Sequence, residues 1–132
     1  MSEYFVSFAV RNDIAAIVIS EDGMILKKYV KRIPSNVDGS YNATIYALNM
    51  ALKHLDRLLQ GRRSEVTFEH SNYIIEKWIE RHYSKPEYQE AFDAAMQKLQ
   101  RLPIRYTFVH NDKPKAAMYC SEKYIKKEEF VS

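Results

Sequence analysis

The side chains of this 132-residue chain that could do acid–base or metal chemistry gather in two short stretches. Glu69-His70 and His110-Asn111-Asp112 each set an imidazole close to a carboxylate. With Asp13 as a further acid, they would offer a transition metal the nitrogen and oxygen donors it takes. The same residues have a plainer reading, with His70 hydrogen-bonded locally at a strand end and Asp112 capping a following helix. Spacing leaves both open, because a metal site is defined by ligand geometry. His54 and His82 complete the histidines. Cys120, the single cysteine, excludes an internal disulfide and a cysteine-based metal site. Its neighbours Ala116-Ala117-Met118-Tyr119 make it a packing residue rather than a nucleophile. Three glycines leave no glycine-rich loop to cradle a phosphate. No catalytic residue, metal ligand or cofactor is assigned on these grounds.

The cations are more numerous but scattered. Lys27, Lys28, Lys31 and Arg32 share one stretch, Arg57, Arg62 and Arg63 a second, and Lys123, Lys126 and Lys127 a third. A net charge of +3 and a pI near 8.9 lean towards an anionic partner. Solvated faces and helix C-termini that complement the dipole use the same residues, however. Ten tyrosines, six phenylalanines and Trp78 are many for this length, and those left exposed would suit an interface.

The elements that must hold these groups centre on Tyr4–Val10. It is uncharged, free of Gly and Pro, and rich in β-branched and aromatic residues. That is the pattern of a strand covered on both faces near the middle of a sheet. Ile14–Ile19 reads as a second strand, Glu21-Asp22-Gly23 as a tight hairpin turn, and Met24–Arg32 as a third strand with a charged edge. From about Tyr41 to Gln60 the period is helical, with Ile45, Leu48, Leu52, Leu55 and Leu59 on one stripe and Gly61 placed to end it. Ser64–His70 reads as a fourth strand, and Ser71 as the cap of a short helix holding Ile74, Ile75, Trp78 and Ile79. Ser84-Lys85-Pro86-Glu87 is a capping box opening a further helix, with Tyr88, Phe92, Ala95 and Leu99 inward and Pro103 as its stop. Ile104–Val109 is a fifth strand, and Asp112-Lys113-Pro114 opens a terminal helix towards Lys127. Strands reached through helices should lie parallel to the first, by right-handed crossovers. With no linker or repeat, residues 1–132 read as one domain. The longest apolar run, Ile14–Ile19, is far short of the roughly 20 residues that span a bilayer. No basic-then-apolar leader precedes Tyr4, so a cytoplasmic protein without membrane contact is expected.

This order, β-β-β-α-β-α-α-β-α, resembles the ribonuclease H-like fold over essentially the whole chain. Asn42-Ala43-Thr44-Ile45-Tyr46-Ala47-Leu48 resembles that family's Asn-x-Ala-Glu-x-x-Ala-Leu helix opening once one residue is dropped. Val66-Thr67-Phe68-Glu69-His70-Ser71 resembles its fourth strand, which ends in Asp-Ser. Tyr73–Trp78 followed by Arg81-His82-Tyr83-Ser84-Lys85 resembles the segment leading into the substrate handle of bacterial members. Val109-His110-Asn111-Asp112 falls where the family has its catalytic-loop histidine. The resemblance implies an α/β fold, a five-stranded mixed sheet with helices on both faces.

It also implies an active site of four carboxylates holding two divalent ions about 3.5–4 Å apart. In this chain those positions fall on Ser7, Thr44, His70 and about Ala117, with no acid anywhere from Tyr4 to Val10. A slip of one residue puts Glu69 at the strand end, alone. Neutral and imidazole side chains do not hold paired Mg²⁺ ions, which prefer carboxylate oxygens. The expectation is therefore a degenerate, non-enzymatic domain without cofactors, a pseudoenzyme acting by binding. Its partner would be nucleic acid or protein, held through Trp78, Arg81, His82, Tyr83 and Lys85. An adaptor or inhibitor of a nucleic-acid enzyme fits this, as small stand-alone phage or regulatory proteins often are, and self-association is left open. The alternative is a metal-dependent nuclease with a displaced site built from Glu69, His70, His110 and Asp112.

Overall fold

A computed structural model describes residues 2–125. Its sheet has five strands in the order β3-β2-β1-β4-β5. β1 (Ser2–Arg11) lies in the middle, antiparallel to β2 (Ile14–Glu21) and parallel to β4 (Ser64–His70). β3 (Met24–Arg32) closes one edge against β2, and β5 (Ile104–His110) the other, parallel to β4. The central place of β1 follows from its composition: Tyr4, Val6 and Phe8 are buried on one face, Ser7 and Ala9 on the other. At the β2–β3 hairpin, Asp22 and Gly23 both take positive φ (49° and 89°), as a tight turn with the strands' own twist requires.

α1 (Ser40–Leu59), α2 (Tyr73–Arg81) and α3 (Gln89–Arg101) all cover the face that carries Tyr4, Val6 and Phe8. Ile45, Leu48, Leu52, Leu55 and Leu59 are fully buried there. Each such side chain is worth about 1.5–3 kcal/mol of burial, so this stripe anchors the helix layer. α1 ends on Gln60, in the left-handed conformation at φ 50°, with Gly61 behind it.

Three expectations are corrected. Asn72, not Ser71, caps α2, its Oδ1 accepting the N–H groups of Ile74 and Ile75. Ser84 caps nothing: it is buried, its hydroxyl donates to Lys85 O, and a 3-10 turn over Pro86–Tyr88 precedes α3. The second face is covered not by a terminal α-helix but by 3-10 helices over Lys115–Tyr119 and Glu122–Tyr124, which lay Ala116 and Ile125 against Ala9, Ile14, Ala16, Val18 and Val30. The expected continuation to Lys127 lies outside the described residues. No helix among them is long and apolar enough to cross a membrane.

Candidate functional site

β1, β4 and β5 run parallel, and their carboxyl ends share one edge, where open α/β sheets hold their sites. On the face away from the α-helices, Ser7 and Glu69 are register partners on adjacent strands. The Ser7 hydroxyl donates to Glu69 Oε1 at 2.9 Å and accepts the Ala116 N–H at 2.9 Å. Glu69 Oε1 also accepts the Lys115 N–H at 2.7 Å, and its Oε2 accepts the Asn111 side-chain amide at 2.9 Å. Three donors thus replace water around a carboxylate that is only 8% exposed. Since Lys115 and Ala116 open the 3-10 helix, the pair caps that helix and ties it to the sheet.

His70, the next residue on β4, points to the opposite face. Its ring stacks on Phe8 at 5.8 Å, and its Nδ1 accepts the Asn72 N–H at 3.1 Å. The ring proton therefore sits on Nε2, which donates to Glu76 Oε2 at 3.1 Å. Burial holds the His70 pKa below its ordinary value; Glu76 pulls the other way, and His110 adds to the lowering. Both ring nitrogens are in use. Glu69 and His70 are thus separated by the sheet, Asp112 stands in solvent 3.6 Å from His110 Nε2, and Asp13 holds Arg32. Among the described residues, no group of three His, Cys, Asp or Glu is placed to hold a metal ion.

The four positions named by resemblance are equally committed. Thr44 donates to Ser40 O at 2.8 Å and accepts the Asn72 amide at 3.3 Å, while Ala117 packs beside the second apolar cluster. Ser7, Thr44, His70 and Ala117 with Glu69 supply one carboxylate, its two oxygens already taken. That set does not fit a pair of hard divalent cations, and no metal-dependent step follows from it.

Two clefts meet at Val10 and Ser40 to form one groove along this edge. The larger, about 1050 Å³, lies between the β1–β2 turn, the end of β3 and the start of α1, with Lys31, Arg32 and Ser35 in its wall. The smaller, about 300 Å³, is lined by Thr44, Ser71, Asn72 and Tyr73. α1 opens beside both without a side-chain cap and without an acid in its first turn, although Asp13 and Asp38 line the larger cleft. At the far end of the groove the Lys77 ammonium sits 4.6 Å over the exposed Tyr73 ring, and that ring meets His110 edge-on at 6.0 Å. Tyr73 and Lys77 were not among the candidates read from sequence. The signal was present: they are one turn apart on a helix whose Ile75, Trp78 and Ile79 face inward, so they face out.

Of the residues expected to bind a partner, Arg81, His82, Tyr83 and Lys85 are exposed at the end of α2 and in the loop after it. Trp78 is corrected: it is 7% exposed, stacked on Tyr88 at 5.7 Å, and belongs to the core. His82 takes the left-handed conformation that ends α2.

No protein-family profile and no curated protein matches the chain by sequence. Solved structures do match. The ribonuclease H1 of the halophilic archaeon Halobacterium salinarum NRC-1 superposes with a TM-score of 0.70 at 16% identity, over 93% of this chain and 96% of that one. LC11-RNase H1, solved in complex with an RNA/DNA hybrid, superposes with a TM-score of 0.73 at 16% identity over 100% of both chains. The N-terminal RNase H domain of a Mycobacterium tuberculosis protein, solved as a maltose-binding-protein fusion, gives 0.66 at 12% identity over 95% and 94%. The fold is ribonuclease H-like. The expectation that the chain is not an enzyme is overturned as a reading of its fold: the structures it superposes on are ribonucleases H1.

Proposed function

We propose that this chain binds nucleic acid, in duplex or RNA–DNA hybrid form, along the carboxyl edge of its sheet and against the exposed end of α2. The observation that carries this reading is the continuous groove from Arg32 to Tyr73, ending on the cluster of Lys77, Tyr73 and His110. Its hydroxyl, amide and cationic groups suit phosphate and sugar contacts, and an exposed aromatic ring suits a base or sugar face. Arg81 lies about 12 Å from Tyr73 along α2, at 1.5 Å per residue, and Tyr83 and Lys85 carry the footprint into the loop beyond it. LC11-RNase H1, whose fold this chain shares, was solved on such a hybrid. Contacts to phosphate make the binding salt-sensitive and indifferent to sequence, and Glu76, Glu80 and Glu87 along the same segment keep it weak.

A second reading is a nuclease that uses Glu69, the carboxylate at the end of β4 beside the central strand. One experiment addresses both. Labelled hybrid, duplex and single strands are titrated with the whole chain and with Arg81→Glu/Lys85→Glu, with and without Mg²⁺ or Mn²⁺, and the strands are then sized. Hybrid or duplex binding that weakens with salt and in the variant supports the first reading. Strand cleavage that disappears in Glu69→Gln supports the second. No binding to any form at low salt contradicts the proposal.

A further inference from the structure

We propose that the free edge of the sheet, β3 together with the flank of α1 beside it, docks an acidic, extended segment of a protein partner as an added strand. β3 is last in the strand order, so its outward N–H and C=O groups have no neighbouring strand among the described residues. Over its nine residues it carries Lys27, Lys28, Lys31 and Arg32 and no acid. Lys27, Tyr29 and Lys31 pair with Ile19, Ile17 and Ala15, whose side chains belong to the helix-facing core, so all three point towards α1. There His54 stacks on Tyr29 with ring centres 3.5 Å apart, flanked by Lys53 and Arg57.

The electrostatics of this flank are one-sided. The charged groups acting on His54 are Arg57, Lys53 and Lys31, all cations, and none forms an ion pair among the described residues. Burial first, and then those three charges, press the His54 pKa down to about 4. Lys28 lies over Tyr119, and Arg32 holds Asp13 and Glu122, so Lys27 and Lys31 are the strand's contribution to the flank. At the start of the strand Met24, Ile25 and Leu26 are 73%, 44% and 41% exposed, an apolar foothold continuous with the cations.

These features select the occupant. A second copy pairing β3 with β3 would set lysines against lysines, the device by which edge strands avoid self-association. A nucleic-acid strand would use the cations but leave the outward carbonyls and the aliphatic foothold without partners. A peptide strand with carboxylates satisfies all three, through main-chain hydrogen bonds, apolar contact and charge.

The probe is a synthetic peptide of about ten residues alternating Glu and Val, with a control carrying Pro in place of Val. It is titrated into the whole chain at low salt while backbone amide shifts and the His54 imidazole titration are followed. The expected result is shifts along β3 and a His54 pKa that rises from about 4 towards 6.5, because nearby carboxylates favour the charged ring. Affinity should fall about tenfold or more in Lys27→Glu/Lys31→Glu and in the helix-surface pair Lys53→Glu/Arg57→Glu, each shown to be folded by an unchanged melting curve. Equal binding of the proline control, shifts confined to other strands, or an unmoved His54 pKa would overturn the proposal. So would an oligothymidylate that shifts the β3 amides where the peptide does not.

Discussion

Ser7 and Glu69 stand side by side on β1 and β4, and together they hold the backbone N–H groups of Ala116 and Lys115. In a ribonuclease H-like sheet this is the carboxyl edge, and here a hydroxyl and a carboxylate spend their hydrogen bonds tying down the segment that covers the second face. Glu69→Ala would leave the Ser7, Asn111 and Lys115 donors facing an apolar methyl. The expected loss is about 2–4 kcal/mol, since buried donors without partners are costly. Denaturant unfolding measures it, and amide exchange at Lys115 and Ala116 should accelerate ahead of exchange in β1.

His54 gives the fold an acid limit. Its pKa is about 4 in the folded chain against 6.5 for an ordinary histidine, so the unfolded chain binds the proton more readily. The stability this supplies is complete above pH 6.5 and is lost as pH falls towards 4. His70, also lowered, works in the same direction. Melting temperatures recorded across that interval should fall with pH, and less steeply in His54→Gln.

Trp78 reports on the core. Its replacement by alanine should cost about 3–5 kcal/mol, because the Tyr41, Tyr88 and Phe92 rings pack against it. As the one tryptophan, it should emit from a buried environment, and saturating nucleic acid should leave the emission maximum in place. A red shift on unfolding alone, with none on binding, is the expected record.

Gln60 is a small reserve of stability. A non-glycine residue at φ 50° closes α1, and Gln60→Gly should raise stability by about 0.5–1 kcal/mol in equilibrium unfolding.

Much of the fold is legible in the sequence because its signals are local. The uncharged run around Val6, the Asp22-Gly23 turn and the Leu48–Leu52–Leu55–Leu59 stripe each name their own structure. Caps are harder: Ser71 and Asn72 are both suitable, and the choice falls to Asn72 because its N–H reaches His70 Nδ1 while its side chain reaches Ile74 and Ile75. The terminal segment reads as a helix by composition, yet its first N–H groups go to Ser7 and Glu69 and its backbone becomes extended at Ser121. Those contacts join residues more than forty positions apart, which no local pattern records. The site is obscure for the same reason, since Ser7 and Glu69 meet through strand register, and Tyr73, Lys77 and His110 through the packing of α2 beside β5.

Hydrogen exchange of the whole chain, with and without an RNA–DNA hybrid, tests whether nucleic acid lies along the carboxyl edge of the sheet. Binding there should slow exchange in the first turns of α1 and α2, at Lys31 and Arg32, in the loop holding Arg81 to Lys85, and around His110, with Met24 to Tyr29 of β3 unchanged. Protection confined to β3 and the flank of α1, or no protection at hybrid concentrations far above that of the protein in low salt, would contradict it.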